Sequence, residues 1–304
     1  MILGFIFAVV VSILFAVYAV PRKYSRQHVI LYTMWMGIAY FIGTMVVIVL
    51  MVGWGEREME DLSSPWHMVT IARGFIWVLG MAAYNLAIDH IGLARFNQWK
   101  NIQGPVGSLL MLFLLAEIVG VKVLWLLLGM SAMLTSAFLF QIKMESMDKT
   151  DSLQGVAWAV FAGVCFGVSA LLNKIVSDQG FLFAQLIYHS SSLILFSAIV
   201  YLFIGNIGKE SFRQRLNNLV HLDRTIWLPF MSGGMFLIAT VLTILAYDLI
   251  AGPVLWSITQ LNAAWTILIG IFLFKEIDVR VHWIRISIGF FVTAAAVVFL
   301  FFAM

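Results

Sequence analysis

Two short stretches concentrate polar side chains in an otherwise apolar chain. Arg95-Phe96-Asn97-Gln98-Trp99-Lys100-Asn101-Ile102-Gln103-Gly104-Pro105 carries Asn97, Gln98, Lys100, Asn101 and Gln103, and 159 positions later Val254 to Ala264 carries Trp256, Thr259, Gln260 and Asn262. An amide donates and accepts hydrogen bonds at once, and an indole stacks on the apolar face of a ring. Together they suit a neutral polyhydroxylated solute. Lys100 adds a donor to such a solute or a charge that would attract a carboxylate or phosphate; against this stands a lysine that snorkels to the interface. Asn and Gln also hold membrane helices together. Four amides in seven residues, echoed 159 positions on, favour a cavity over packing glue.

These residues need helices to position them. Helical spacing aligns Asn97, Asn101, Gly104 and Ser108 on one face and Lys100, Gln103 and Gly107 on another, with Trp256, Gln260 and Ala263, and Thr259, Asn262 and Thr266, as counterparts. Pro105, after Gly104, is expected to interrupt its helix by removing a backbone hydrogen bond. Arg73, Trp77, Tyr84 and Asn85 form a second polar and aromatic line that would complete the site. His189, between Tyr188 and Ser190, is read as a histidine hydrogen-bonded between helices.

The surroundings are membrane-like. The 304 residues are 62% hydrophobic and 11% charged, with mean hydropathy +1.01, more apolar than a soluble domain of this size. Windows of about 20 apolar residues, the length that crosses a bilayer, fit near 2–20, 29–52, 67–88, 94–116, 120–141, 154–175, 181–205, 227–248, 252–274 and 283–303. The expected fold is therefore all-α and integral to the membrane, with ten transmembrane helices. No period-two alternation suggests a barrel.

The chain also repeats itself. Phe15, Val17, Ala19 and Lys23 recur 151 positions later as Phe166, Val168, Ala170 and Lys174, and Asp89, Ile91 and Glu117 recur 159 positions later as Asp248, Ile250 and Glu276. Five spans per copy is an odd number, so the second copy enters the membrane inverted. The units are residues 1–142 and 154–304, two inverted five-helix repeats joined by a linker at 143–153. Duplicated halves are common in transporters, with the solute site at their interface.

Charge sets the orientation. Thirteen Lys and Arg fall in or beside the connections after odd-numbered spans, against Arg57, Lys122 and Lys174 on the other side. The basic side is expected to be cytoplasmic, with both termini outside the cytoplasm. This rule accounts for the basic surface without a nucleic-acid partner. Cys165, the single cysteine, has no disulfide partner in the chain and forms no metal cluster. HExxH, paired-Asp phosphate and Walker motifs are absent from the sequence, so the expectation is a carrier rather than an enzyme, without a cofactor. Its partners would be the solute and membrane lipid; a homodimer stays open.

The motifs from Phe15 to Lys23 and from Phe166 to Lys174, with the glutamates closing spans four and nine, resemble those of the drug/metabolite transporter superfamily, EamA-like. Its members have ten spans in two inverted repeats. Gly74-Phe75-Ile76-Trp77-Val78-Leu79-Gly80, followed by Ile91-Gly92-Leu93-Ala94, is similar to the glucose/ribose uptake and rhamnose transporter branches. The resemblance implies a secondary transporter in the cytoplasmic membrane, with a monosaccharide as solute. The chain departs from those permeases at Met81, where they carry Gln, and at Gln98 to Asn101. An exporter of amino acids or other charged metabolites is the alternative.

Overall fold

A computed structural model describes residues 2–55, 58–92, 96, 99–117, 121–140, 149–204, 211–221, 224–275 and 279–304. Among them are thirteen helices: α1 Ile2–Val17, α2 Val20–Tyr24, α3 Val29–Gly53, α4 His67–Ile91, α5 Gln103–Leu114, α6 Val123–Leu139, α7 Lys149–Ser177, α8 Phe183–Ile204, α9 Phe212–Val220, α10 Trp227–Tyr247, α11 Gly252–Thr259, α12 Asn262–Phe272 and α13 Val279–Ala303. No strand occurs among the described residues. A bilayer offers no partner to backbone N–H and C=O groups, and a helix satisfies them internally.

Among the described residues, eight helical stretches are long and apolar enough to cross a membrane: Ile2–Tyr24, Val29–Gly53, His67–Ile88, Leu153–Ser177, Phe183–Phe203, Trp227–Tyr247, Gly252–Phe272 and Val279–Ala303. Two shorter apolar helices, Gln103–Leu114 and Val123–Leu139, accompany them. The protein is an all-helical, multi-pass membrane protein. Large apolar side chains cover its outside, including Val46, Val49, Phe272 and Phe291, as lipid contact requires.

Local chemistry explains several boundaries. Pro21 lacks an N–H to give to the preceding turn, and the first span breaks at Tyr18–Ala19, between α1 and α2. The carbonyl of Tyr18 instead accepts from Ser232 Oγ at 2.6 Å, and that hydroxyl lies 2.6 Å from Tyr32 Oη. Ser169, the counterpart of Tyr18, sits in unbroken α7, where Leu172 replaces the proline. Gly92, with φ of 77°, ends α4 in a conformation few other residues adopt.

The expected linker at 143–153 is partly helical, because α7 starts at Lys149; residues 141–148 lie outside the described set. The loop before α10 also contains an unexpected short helix. In α9 a capping box joins Ser211 and Gln214, and Phe212, Leu216 and Val220 form an exposed apolar stripe four residues apart. That is the pattern of a helix lying in the membrane interface.

Packing joins early helices to late ones. The largest contacts pair α4 with α7, α6 with α13, α3 with α8 and α10, α1 with α10, α5 with α7, and α4 with α8. The chain therefore forms one interleaved bundle rather than two separate bodies. Its central core is aromatic: Tyr40, Trp77, Tyr84, Phe96, Phe166 and Phe236 are all buried together.

Candidate functional site

The site begins at two helix breaks. Helix α5 is preceded by a turn at Asn101–Ile102, and α11 is divided from α12 by a turn at Gln260–Leu261, 159 positions later. Their hydrogen bonds match one for one. Ile102 N–H bonds to Trp99 O and Leu261 N–H to Ile258 O; Gly104 N–H bonds to Asn101 O and Ala263 N–H to Gln260 O. Each is a tight bond to the third residue back, which rotates the next turn of chain relative to an ideal helix.

Pro105, four residues past Asn101, has no N–H to give to the Asn101 carbonyl, which accepts from Gly104 instead, so the break falls where the proline is expected to put it. The second break has Ala264 in its place, so a proline is not required for it.

The two broken spans cross in close contact. Ser108 Oγ donates to Pro253 O at 2.9 Å and lies 2.9 Å from Ser257 Oγ. Trp256 Nε1–H donates to Gln103 O at 2.9 Å, and Gln103 Nε2 donates to Gln260 Oε1 at 3.0 Å. Glycine permits this approach: a Cβ at Gly107 would lie 2.6 Å from Trp256 Nε1, and one at Gly104 would strike the Gln260 side chain. Gln260 Nε2 donates to Trp256 O at 2.9 Å and Thr259 Oγ1 to the same carbonyl at 2.7 Å. Gln260 thus bonds across the crossing to Gln103, while Thr259 bonds within its own span.

Beside the crossing lies a small cavity. Its walls are Phe15, Tyr18, Arg73, Trp77, Lys100, Gln103, Phe166, Ser169, Ala170, Asn173, Phe236, Thr240, Thr243, Trp256 and Asn262. The free space is about 50 Å³. That has room for a few waters, whereas small-molecule pockets measure about 300–1,000 Å³. The free space in this arrangement is therefore narrower than a sugar-sized solute needs.

Of the residues expected at the site, Lys100, Gln103, Trp256, Asn262, Arg73 and Trp77 do line the cavity. Asn101, Thr259, Gln260, Tyr84 and Asn85 do not. Asn97 and Gln98 lie outside the described residues, as does Glu276. Asn85 accepts from Arg22 Nε at 3.1 Å and borders a second cavity of about 330 Å³ with Arg22, Lys23, Ser25 and Arg26. Tyr84 packs on Phe96 with ring centroids 4.3 Å apart, beneath Lys100.

The buried polar groups are distinctive. Lys100 is 3% exposed and does not snorkel: its Nζ lies 5.9, 6.0 and 5.9 Å from the ring centroids of Tyr84, Phe96 and Phe166. Arg73 is 5% exposed, and its Nε and Nη1 find no hydrogen-bond partner among the described residues. Asn262 leaves both amide atoms without one. His189 departs from expectation. Both ring nitrogens lack a partner among the described residues, and Tyr40, Trp77 and Phe236 surround the ring at 5.8–6.2 Å.

Sequence reasoning missed part of the wall. Phe15 and Tyr18 on α1, Phe166, Ser169 and Asn173 on α7, and Phe236, Thr240 and Thr243 on α10 all face the cavity. A signal was available in the sequence spacing: Phe15 and Phe166, and Tyr18 and Ser169, lie 151 positions apart, and Trp77 and Phe236, and Gln103 and Asn262, lie 159 apart.

One end of the bundle is tied across the helices. Glu117 Oε2 accepts the N–H of Gly252 at 2.8 Å, its Oε1 lies 3.1 Å from Lys174 Nζ, and Lys174 also pairs with Asp178. This end holds the start of α11 and the end of α7, while the larger cavity at Arg22 opens near the other end.

Neither a family model nor a curated protein matches the sequence. Among matching solved structures, one described only as "Crystal structure of protein" aligns over 97% of this chain and 95% of its own, with a TM-score of 0.70 and 12% identity. At that identity the likeness concerns the fold alone.

Proposed function

We propose that this chain is a secondary transporter that moves a small polar solute across the cytoplasmic membrane by alternating access between two inverted repeats of five spans. In this reading α1 and α2 form the first span, α5 with the residues before it the fourth, and α11 and α12 the ninth. The observation that carries the proposal is the cavity: eight of its fifteen wall residues form four pairs at the repeat offsets, beside two helices broken at positions 159 apart. Broken helices at a repeat interface are where such carriers hold their solutes.

Helix packing supports the same reading. Exchanging the copies turns the contact of α4 with α7 into that of α10 with α1, and the contact of α3 with α10 into that of α8 with α4. The contacts of α3 with α8 and of α6 with α13 map onto themselves. With the basic side cytoplasmic, the Glu117 tie closes the outer end and the Arg22 cavity opens inward. The proposal also places the chain in the drug/metabolite transporter superfamily, on the motifs described above.

Two solute classes fit the sequence, a monosaccharide and a charged metabolite. The amide of Asn262 and the aromatic walls suit either; Arg73 and Lys100, both buried in the wall, favour the charged class. The test of carriage is counterflow in sealed vesicles holding the purified protein, with radiolabelled sugars, sugar acids and sugar phosphates. Accumulation that depends on unlabelled solute inside supports a carrier. Chemical conversion of the solute by protein in detergent, without accumulation in vesicles, would indicate an enzyme instead.

A further inference from the structure

Two buried cations face one cavity without a carboxylate among the described residues to pair them. The fourth-span Lys100 has no hydrogen bond or ion pair among the described residues, and its neighbours are the rings of Tyr84, Phe96 and Phe166. The titratable groups that interact electrostatically with Arg73 are Tyr40, Tyr247 and His189, none of which supplies a negative charge at neutral pH. Glu117 is already committed to Lys174 and Gly252. Removing a cation from water without a partner is costly, and such groups are normally paired. Two in one small cavity imply that the missing partner enters from outside.

We infer that the cavity recognises an organic oxyanion, with its carboxylate or phosphate between Arg73 and Lys100 and its body against the aromatic walls. This rests on the carrier reading, whose solute it specifies. Arginine offers a planar fork of donors matched to two oxyanion oxygens, and lysine a mobile point charge. Asn262, with a free donor and a free acceptor, suits a hydroxyl or amide on the body. Trp77, Phe166, Phe236 and Trp256 give the body an apolar surface that inorganic phosphate could not use.

The first test needs no ligand. In dilute zwitterionic buffer, Arg73→Met and Lys100→Met should each melt above the wild type, because each removes an uncompensated buried charge while keeping side-chain length. A fall, or no change, in both variants overturns the inference. The second test compares glucose, glucuronate, glucose 6-phosphate and inorganic phosphate as stabilisers of the detergent-solubilised full chain. Glucuronate or glucose 6-phosphate should raise the wild-type melting point more than glucose does, and either Met variant should bind that anion on the order of thirtyfold more weakly or worse.

Which of the two anions acts decides between a carboxylate and a phosphate head. Stabilisation by glucose that both variants retain, stabilisation by inorganic phosphate equal to that by the sugar anions, or no stabilisation by any probe overturns the inference. Vesicle counterflow separates this site from the carrier reading. Anion binding without uptake removes the carrier and leaves the site, whereas uptake of glucose alone removes the site and leaves the carrier.

Discussion

Removing the carboxylate of Glu117 should loosen one end of the bundle selectively. Its Oε2 is 2.8 Å from the Gly252 amide, the first N–H of α11, and its Oε1 is 3.1 Å from Lys174 Nζ, with side chains 18% and 9% exposed. A hydrogen bond to a charged group contributes about 1.5–3 kcal/mol. The ion pair adds on the order of 1 kcal/mol once desolvation and the remaining Lys174–Asp178 contact are counted. Glu117→Ala should therefore weaken this end by about 2–4 kcal/mol, which corresponds to roughly a 30- to 1,000-fold rise in local opening.

Glu117→Gln keeps an acceptor for Gly252 but loses the charge, so its effect should be near tenfold, or about 1.4 kcal/mol. Hydrogen-exchange mass spectrometry on the peptide spanning residues 249–255 reads this opening directly. If the wild type and Glu117→Ala exchange at the same rate there, the tie contributes nothing and the reasoning is refuted. Equal effects of Gln and Ala would refute the separation of bond from charge.

The other expectations concern the crossing and one loop. Gly107→Ala drives a Cβ into Trp256 and threatens its bond to Gln103 O, so it should cost about 2–4 kcal/mol from overpacking and a lost hydrogen bond, read as a lower melting point. Gln103→Leu and Gln260→Leu should each destabilise by about 1–3 kcal/mol, and the double variant by less than their sum, because each single change strands its partner's amide. A double-mutant cycle that is strictly additive would remove that bond from the account. In the loop between α3 and α4, the Ser63 hydroxyl and amide both donate to Asp61, holding its carboxyl below the ordinary carboxylate range. A depressed carboxyl stabilises its turn above the unfolded pKa and loses that contribution as pH falls through the folded value. Amide exchange at Ser63, corrected for intrinsic pH dependence, should thus be protected at neutral pH and lose protection as the pH falls below that carboxyl's folded pKa, a loss that Asp61→Asn should abolish.

Much of this architecture can be read from the chain, with clear physical limits. The two polar stretches 159 positions apart meet at one crossing, and their helix breaks are also 159 positions apart. The face assignment holds at the first stretch and fails at the second. Lys100 and Gln103, expected on one face, both line the cavity, and Asn101, expected on the other, does not. Trp256 and Asn262, expected on different faces, line it together, while Gln260 and Thr259 do not. Helical alignment assumes an uninterrupted turn of about 100° per residue, and the tight turn at Gln260–Leu261 resets that phase. Pro105 announces the first break, but the matching break at Gln260–Leu261 has Ala264 in that position, so a proline signal finds only one of the two. His189 looked like a polar bridge because serines flank it, yet its ring faces aromatic neighbours, which only tertiary packing reveals. Phe15, Tyr18, Phe166 and Ser169 served in the sequence as marks of duplication. Their place in the wall depends on which helices meet, and neither composition nor spacing records that.

The central claim is that the cavity opens to each side of the membrane in turn. Ser169→Cys, in a Cys165→Ala background, puts a single thiol in the wall, where Ser169 is 4% exposed. Its modification by a membrane-impermeant reagent should be measured in sealed vesicles, separately from outside and from the lumen. Alternating access predicts slow labelling from both sides, with Glu117→Ala speeding it from the side of the Glu117 tie only. A thiol that neither side reaches, or that only one side reaches in both backgrounds, would contradict the account.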